Sequence, residues 1–329
     1  MTFEWYVDLT LTQLPKYVDG SLSRIRLADH CTAVFAQAEI ARAEAEVAPN
    51  IVKKGGDKGA RRKGPREERE LQRKRDSARE LYTKGRNDKK AQTEPIEGLR
   101  LPGALELDKV PPVVSERWAH LEVDFTLLAP WYSKDDRPFH VLDNPVRKDR
   151  VFGVPFMAAA SWKGLLRWAC RMEAGLLKHL EEHNGRLKDW EDPDWIVHLF
   201  GNERGETEEF SRGALQFFPT WFDRIGFEVI NPHSREKKAG TQPIVYEVVP
   251  AGTQGTLTVL YAPSPGYAAA LDTILPLVRS IENLLTIYGF SAKRTGGWGL
   301  AKIESWRANG NKVDDIHGWA ARVFATEGN

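Results

Sequence analysis

From residue 118 onward, the chain predicts an α+β fold of the ferredoxin-like type, the architecture shared with RRM modules. Its elements run strand, loop, helix, strand, hairpin, helix, glycine-rich loop, strand. Three observations predict it. Leu121, Val123, Phe125 and Leu127 alternate with polar residues, which is the period of a half-buried strand over 118–128. Trp162, Leu165, Leu166 and Ala169 follow Ser161 at helical spacing, and Ser161 suits the N-cap. Leu277, Val278, Ile281, Leu284 and Leu285 make the apolar stripe of a second helix over 271–288, ended by Gly289. Pro276 inside that span either opens the helix as a first-turn residue or kinks it.

The other elements fall around these. Phe3, Trp5, Val7, Leu9 and Leu11 alternate as a strand, and the Ala- and Glu-rich residues 28–47 favour a helix. Asp143-Asn144-Pro145 has the composition of a chain reversal, and Pro155 interrupts any central strand over 146–157. A helix from Leu176 stops at Asn184-Gly185, and another runs from Trp195 to Gly201. A polar loop then leads to a strand beginning at Gly213. Pro243–Val249 and Gly255–Tyr261 flank Pro250-Ala251-Gly252-Thr253 as a hairpin. Leu300–Trp306 makes a final strand whose alternation is imperfect.

Composition sets the class. At 41% hydrophobic and 10% aromatic, the 329 residues support a sizeable core. No apolar run approaches the roughly 18 residues of a membrane span, and the N-terminus has Glu4 and Asp8 but no basic signal region. Cys31 and Cys170 are the two cysteines, too few for a disulfide framework or a cysteine-based zinc site, so a reducing cytoplasm is expected. The net charge of +1 hides an asymmetry: residues 53–90 hold 16 Lys/Arg against 7 Asp/Glu, a local +9 that the rest offsets with −8. Charge and glycine dominate the start of that segment, so it buries too little to order itself, while 65–82 has good helix formers. Residues 1–115 are expected to be an N-terminal elaboration carrying this basic, flexible segment. Residues 116–329 are expected to be the ferredoxin-like domain.

Anion-binding signals concentrate in three places. Lys163 and Arg167 lie one turn apart at the start of a helix, where backbone N–H groups and the dipole already favour phosphate. Lys293 and Arg294 precede Gly296, Gly297 and Gly299, a run that lets a ligand approach the backbone or simply turns the chain into its last strand. Arg147 and Lys148 follow the Asp143 turn, and His233 and Arg235 follow a second Asn-Pro turn. His179 and His183 with Glu182 match the zinc pattern H-x-x-E-H, but five residues recur by chance and the helix ends at once, so a solvated terminal turn is the expectation.

A turn with Asp143, a short basic loop, a Pro-containing strand and the run Ser161-x-Lys163-Gly164-x-x-Arg167 resemble the RAMP superfamily. More closely, they resemble the backbone subunits of type III CRISPR effector complexes. The Phe-Gly helix end at 200–201, the small residues opening the strand at 213, the Asn231-Pro232-His233 turn and the Lys293–Gly299 run extend the similarity over about 118–305. The resemblance implies a guide-RNA-binding subunit. Ser161, Lys163, Gly164, Arg167, Lys293, Arg294, Gly296, Gly297 and Gly299 would grip the RNA backbone, with Arg147, Lys148, His233 and Arg235 nearby. It implies target RNA and other RAMP subunits as further partners. It also implies that Asp143 cleaves guide-paired target RNA with a divalent metal, Mg²⁺. Two departures stand beside it: the loop 129–140 has no glycine before the turn, and the family does not require residues 53–90. The alternatives are a non-cleaving RAMP subunit that caps or bridges the complex, and a guide-processing endoribonuclease using His140 or His233. Residues by themselves leave open whether Asp143 cleaves or only makes its turn. The aromatic RNP motifs of RRM modules are not evident, so RNA would be held by its backbone rather than by stacked bases.

Overall fold

The computed structural model describes Leu99 and residues 118–135, 140, 142–149, 153–202, 211–231, 243–264 and 271–324. The expected strand at 3–11, the helix at 28–47, the basic segment 53–90, and His233 and Arg235 lie outside the described residues. The chain divides into two compact units. Among the described residues, one holds Leu99 with those of 134–153 and 224–248, and the other holds those of 118–133, 154–223 and 249–324.

The larger unit has the expected α+β core. Its elements are β1 (Ala119–Leu127), β2 (Phe156–Met157), α1 (Ala159–Glu173), α2 (Leu176–Glu182), α3 (Asp194–Phe200), β3 (Leu215–Phe217) and β4 (Thr220–Trp221). In the smaller unit come β5 (Gly226–Ile230) and β6 (Ile244–Val248). The larger unit resumes with β7 (Gln254–Tyr261), α4 (Leu271–Asn283), β8 (Ala301–Ala308), β9 (Asn311–Val313) and α5 (Ile316–Phe324). The main sheet has the order β3-β7-β1-β8-β9, antiparallel at every pairing. Counting β1, β3, β7 and β8 as the four core strands, this is the split βαβ arrangement of a ferredoxin-like fold, with β9 added at one edge.

Strand alternation builds the core. Leu121, Val123, Phe125 and Leu127 are each 1% exposed and face α1 and α4, whose Trp162, Leu166, Ile274, Leu277, Val278 and Ile281 are fully buried. Each such side chain contributes about 1.5–3 kcal/mol. Phe290 packs edge-on against Phe125 at 5.2 Å and tilted on Trp162 at 4.8 Å, joining sheet and helix in one aromatic cluster. The imperfect alternation in the last strand has a cause. The β1–β8 register shifts between Asp124 and Phe125, so that Ser305 pairs with Asp124 but Ile303 pairs with Phe125. The extra residue, Glu304, is a bulge that moves the inward positions from 301 and 303 to 306 and 308.

Several expectations are corrected. The turn at 250–253 forms, with Thr253 donating through its amide and its hydroxyl to the Pro250 carbonyl. Its flanks do not pair as a hairpin: β6 pairs with β5, and β7 pairs with β1 and β3. Leu127 instead accepts from the Gly252 amide at 2.7 Å and donates to the Thr253 carbonyl at 2.9 Å, so the partner of the turn is the end of β1. Ser161 is not the N-cap of α1. The helix opens at Ala159 from an extended Ala158, and no side chain caps it. Good helix formers directly after the Pro155 strand start the helix three residues early. Pro276 lies within α4, which ends in a π-helical turn, Leu284–Tyr288, before Gly289.

Candidate nucleic-acid interface

Within the larger unit, α1 and the loop after α4 meet. The first turn of α1 carries no acidic residue and no side-chain cap. Lys163 and Gly164 are exposed on it, and no atom lies within 4 Å of where a Gly164 Cβ would be. A first turn without a side-chain cap, the positive dipole end and one exposed ammonium favour an anion here. Ser161 is half-buried, and its amide donates to the Ala158 carbonyl at 2.9 Å.

One turn on, Arg167 is half-buried and its charge is compensated. Its Nε donates to Asp192 at 2.9 Å and its Nη2 lies 2.7 Å from the same carboxylate. Arg171 and the Trp190 indole N–H bind Asp192 as well. Burial alone would raise the Asp192 pKa, but hydrogen bonds from Arg171, Trp190 and Arg167 outweigh it and hold the carboxyl below its usual range. Arg167 therefore fastens the segment around Asp192 to α1, a correction to its expected role as an open phosphate grip.

The glycine run divides by function. Gly299 is buried at φ 78°, and a Cβ there would sit 2.6 Å from the Ser291 nitrogen. Gly289 is likewise at φ 71°, with the Trp298 carbonyl 2.8 Å from its would-be Cβ. The two ends of the loop cross here, with Phe290 N donating to Gly299 O at 3.1 Å and Gly299 N to Pro130 O at 2.8 Å. The Ser291 hydroxyl adds bonds to the Tyr132 backbone on both sides. Gly299 is thus a close-packing glycine and not a ligand-facing one, which corrects its expected role. Gly296 and Gly297 differ: nothing lies within 4 Å of either would-be Cβ.

Arg294 links this loop to α1. Its guanidinium carbon lies 4.3 Å from the centre of the Trp168 ring, which also meets Tyr288 edge-on at 5.0 Å. Burial lowers the Arg294 pKa, and its Nη1 is buried without a hydrogen-bond partner among the described residues. The guanidinium as a whole is half-buried, and a guanidinium held on an aromatic face is a suitable donor to anionic oxygen. Lys293 is half-buried beside it.

The sheet face turned away from the helices offers no stacking platform. In β1 it carries His120, Glu122, Asp124 and Thr126, opposite Leu260, Thr258, Thr256 and Gln254 of β7. Arg307 binds Glu122 and Asp124, and Asp124 also accepts from Thr256 and Ser305 at 2.8 Å each. Burial alone would raise the Asp124 pKa, but those hydrogen bonds bring it below the ordinary value. These paired charges, and a register without Phe, Tyr or Trp on this face of β1 and β7, agree with the missing RNP motifs.

The smaller unit holds the Asp143 turn. Asp143 is exposed and Arg147 is half-buried. Lys148, expected to face RNA, is 3% exposed, and its Nζ lies 2.7 Å from both carboxylate oxygens of Glu247. This is a correction: an ammonium this deep is retained because a carboxylate neutralises it, and it does not reach solvent. His140 is also buried, its side chain 5% exposed, and its Nδ1 accepts the Leu142 amide at 3.0 Å. Its Nε2 lies 3.4 Å from Lys148 Nζ and 3.6 Å from the Glu247 carboxylate. Inaccessible to a substrate, His140 does not suit the acid–base role of a guide-processing enzyme.

For a divalent metal, the described residues supply the exposed carboxylate of Asp143 and no group of three His, Cys, Asp or Glu side chains able to hold an ion. That donor set fits Mg²⁺ held by one carboxylate, water and substrate phosphate, and does not form a closed protein site. The His179 and His183 rings stack at 4.0 Å. His183 Nδ1 lies 2.8 Å from the His179 carbonyl, and His179 Nε2 lies 2.9 Å from that of Lys188, so both rings are engaged with backbone.

Sequence reasoning missed Glu247, Asp192 and Trp168. Each acts through a partner brought near by folding, and no local pattern marks them. Asp143, Arg147 and Lys148 lie in one unit, and Ser161, Lys163, Gly164, Arg167, Lys293, Arg294, Gly296, Gly297 and Gly299 lie in the other.

The family model of the RAMP superfamily matches residues 124–302. A chain from the cryo-EM structure of the type III-B Cmr-beta complex bound to cognate target RNA is similar at TM-score 0.51 and 14% identity, over 93% of this chain and 98% of that one. A chain from the crystal structure of the Csm3–Csm4 subcomplex of the type III-A CRISPR-Cas interference complex aligns at TM-score 0.39 and 16% identity, over 64% of this chain and 97% of that one. No curated protein sequence matches.

Proposed function

Because the chain belongs to the RAMP superfamily, we propose that it is a guide-RNA-binding backbone subunit of a type III CRISPR interference complex that cleaves guide-paired target RNA through Asp143. The observation that carries the RNA-binding part is Arg294. Its half-buried guanidinium is held against Trp168 of α1, the helix that exposes Lys163, and its own loop carries Gly296 and Gly297 with open space beside them. Such a surface takes phosphodiester oxygens whatever the base, as a guide of any sequence requires.

Cleavage needs the 2′-hydroxyl of one target nucleotide in line with the adjacent phosphorus. Asp143, exposed on an ordered turn, is the group to accept that proton or to share a divalent ion with the scissile phosphate. Mg²⁺, when bound, would supply charge neutralisation at the phosphate oxygens. The turn holds the carboxylate in place and the RNA surfaces hold the guide, so the two duties are separable. In an assembled complex supplied with Mg²⁺, Asp143→Ala is expected to abolish target cleavage and to leave guide binding at the parent level. Parent-level cleavage by that variant would remove Asp143 from the mechanism. It would then favour the second reading, a non-cleaving subunit that caps or bridges the complex, to which the glycine-free loop before the turn also points.

A further inference from the structure

The backbone around Asp143 is tied on every side while its side chain is exposed. Leu142 N donates to His140 Nδ1 at 3.0 Å. The Asn144 carbonyl accepts from Glu247 N at 3.0 Å, and the Pro145 carbonyl accepts from Asp135 N at 3.1 Å. Val146 N donates to Glu247 Oε2 at 3.0 Å, and Lys148 N to Asp135 Oδ2 at 3.4 Å. At the centre lies the Glu247 carboxylate, 0% exposed, which takes the Val146 amide and both short contacts of Lys148 Nζ, with His140 Nε2 at 3.6 Å.

We infer that Glu247 and Lys148, seated against His140, are positioning residues that hold the 142–148 turn so that Asp143 is presented in one fixed pose. This rests on the cleavage reading above and deepens it. A buried ion pair is a poor device for stability alone, because well-packed apolar residues of the same volume do as well or better. What an apolar pair cannot do is accept the Val146 amide. Glu247 does so from β6, the strand whose neighbour Tyr246 bridges to Asn144. The Glu247 carboxylate therefore replaces a missing ladder partner for the turn, and Lys148 neutralises that carboxylate from within the same turn. Asp135 repeats the logic from the other side, donating to Pro145 and accepting from Lys148. Lys148 thus belongs to the support beneath the acidic residue, although its place in the sequence suggests an RNA contact.

The test uses the assembled effector complex with Glu247→Gln, Lys148→Met and the double variant. Three quantities are read: the single-turnover rate of target cleavage in Mg²⁺, the affinity for target RNA, and amide hydrogen exchange in 142–148. Each single variant leaves one buried group unpaired. It is expected to slow cleavage about 10–100-fold, the scale of a small misplacement at a reacting centre. It should also raise exchange in 142–148 and leave target affinity within about threefold. The double variant removes both charges and keeps an amide oxygen for Val146, so rate and protection return to within about threefold of the parent. A rate within threefold of the parent in the singles, unchanged exchange, or a double variant no better than the singles would overturn the inference. If the singles do not assemble, the double variant must still assemble, protect the turn and cleave, and its failure overturns the inference as well. Asp143→Ala, run in parallel, separates the two ideas. If it cleaves normally, the cleavage reading fails, and the clamp is then judged by exchange alone, with protection lost in the singles and restored in the double.

Discussion

Substituting alanine at Gly296 and at Gly299 separates the two kinds of glycine in one loop. At Gly299 the new Cβ meets the Ser291 nitrogen at 2.6 Å, Ser291 Cβ at 2.7 Å and the Phe290 nitrogen at 3.0 Å, mostly backbone that a rotamer change cannot move aside. The residue also sits at φ 78°, which costs an L-amino acid about 1–2 kcal/mol. Overpacking against backbone adds roughly 1–3 kcal/mol. Gly299→Ala is therefore expected to lose about 2–5 kcal/mol, read as a lower urea midpoint at unchanged slope. Gly296 has no left-handed backbone to strain and nothing within 4 Å, so Gly296→Ala is expected to stay within about 0.5 kcal/mol of the parent. Its methyl would occupy the space proposed for the RNA spine, so guide affinity should fall about tenfold, roughly 1.4 kcal/mol. Equal destabilisation by the two variants would refute the division of the loop. Unchanged RNA affinity for Gly296→Ala would refute the proposed path of the RNA.

Acid should weaken the larger unit before its carboxylates titrate. Burial holds His120 and His198 below the ordinary value of 6.5, so the unfolded chain binds those protons first. Their contribution is full above 6.5 and is lost as pH falls below it toward the depressed folded values. The share held by Asp124 and Asp192, also depressed, is full above about 4 and lost below it. His120→Leu, which removes a ring with no hydrogen-bond partner among the described residues, should flatten urea-unfolding stability between about pH 7 and 5. A pH dependence unchanged in that variant would remove His120 as a cause. Asp143→Ala, at an exposed turn, should cost no more than about 1.5 kcal/mol, the scale of one surface hydrogen bond or ion pair, while target cleavage is lost. A larger stability loss would mean the residue serves its turn.

What could be read before folding was what repeats locally. The alternation of β1 and the stripes of α1 and α4 follow from side-chain periodicity, and Asn184-Gly185 ends α2 with both residues at positive φ. The last strand was blurred because a bulge at Glu304 exists only in its pairing with β1. The turn at 250–253 announced a reversal but not which strands would pair. Asp143 on a turn and Lys163 at a helix start were legible because turn and helix chemistry are local. Lys148 was misread because the group that buries it, Glu247, lies 99 residues away in sequence. The open glycines and the packed one look alike in sequence, and only the crossing of the loop ends tells them apart.

The central claim is that an RNA backbone lies across the start of α1 and the open part of the glycine loop. Ultraviolet crosslinking of guide RNA in the assembled complex, followed by mass spectrometry of the peptides, tests it most directly. Crosslinks to peptides holding Lys163 and 293–298, and none to the polar face of β1, β7 and β8, are the predicted result. Crosslinks confined to that sheet face, or none in either peptide, would contradict it.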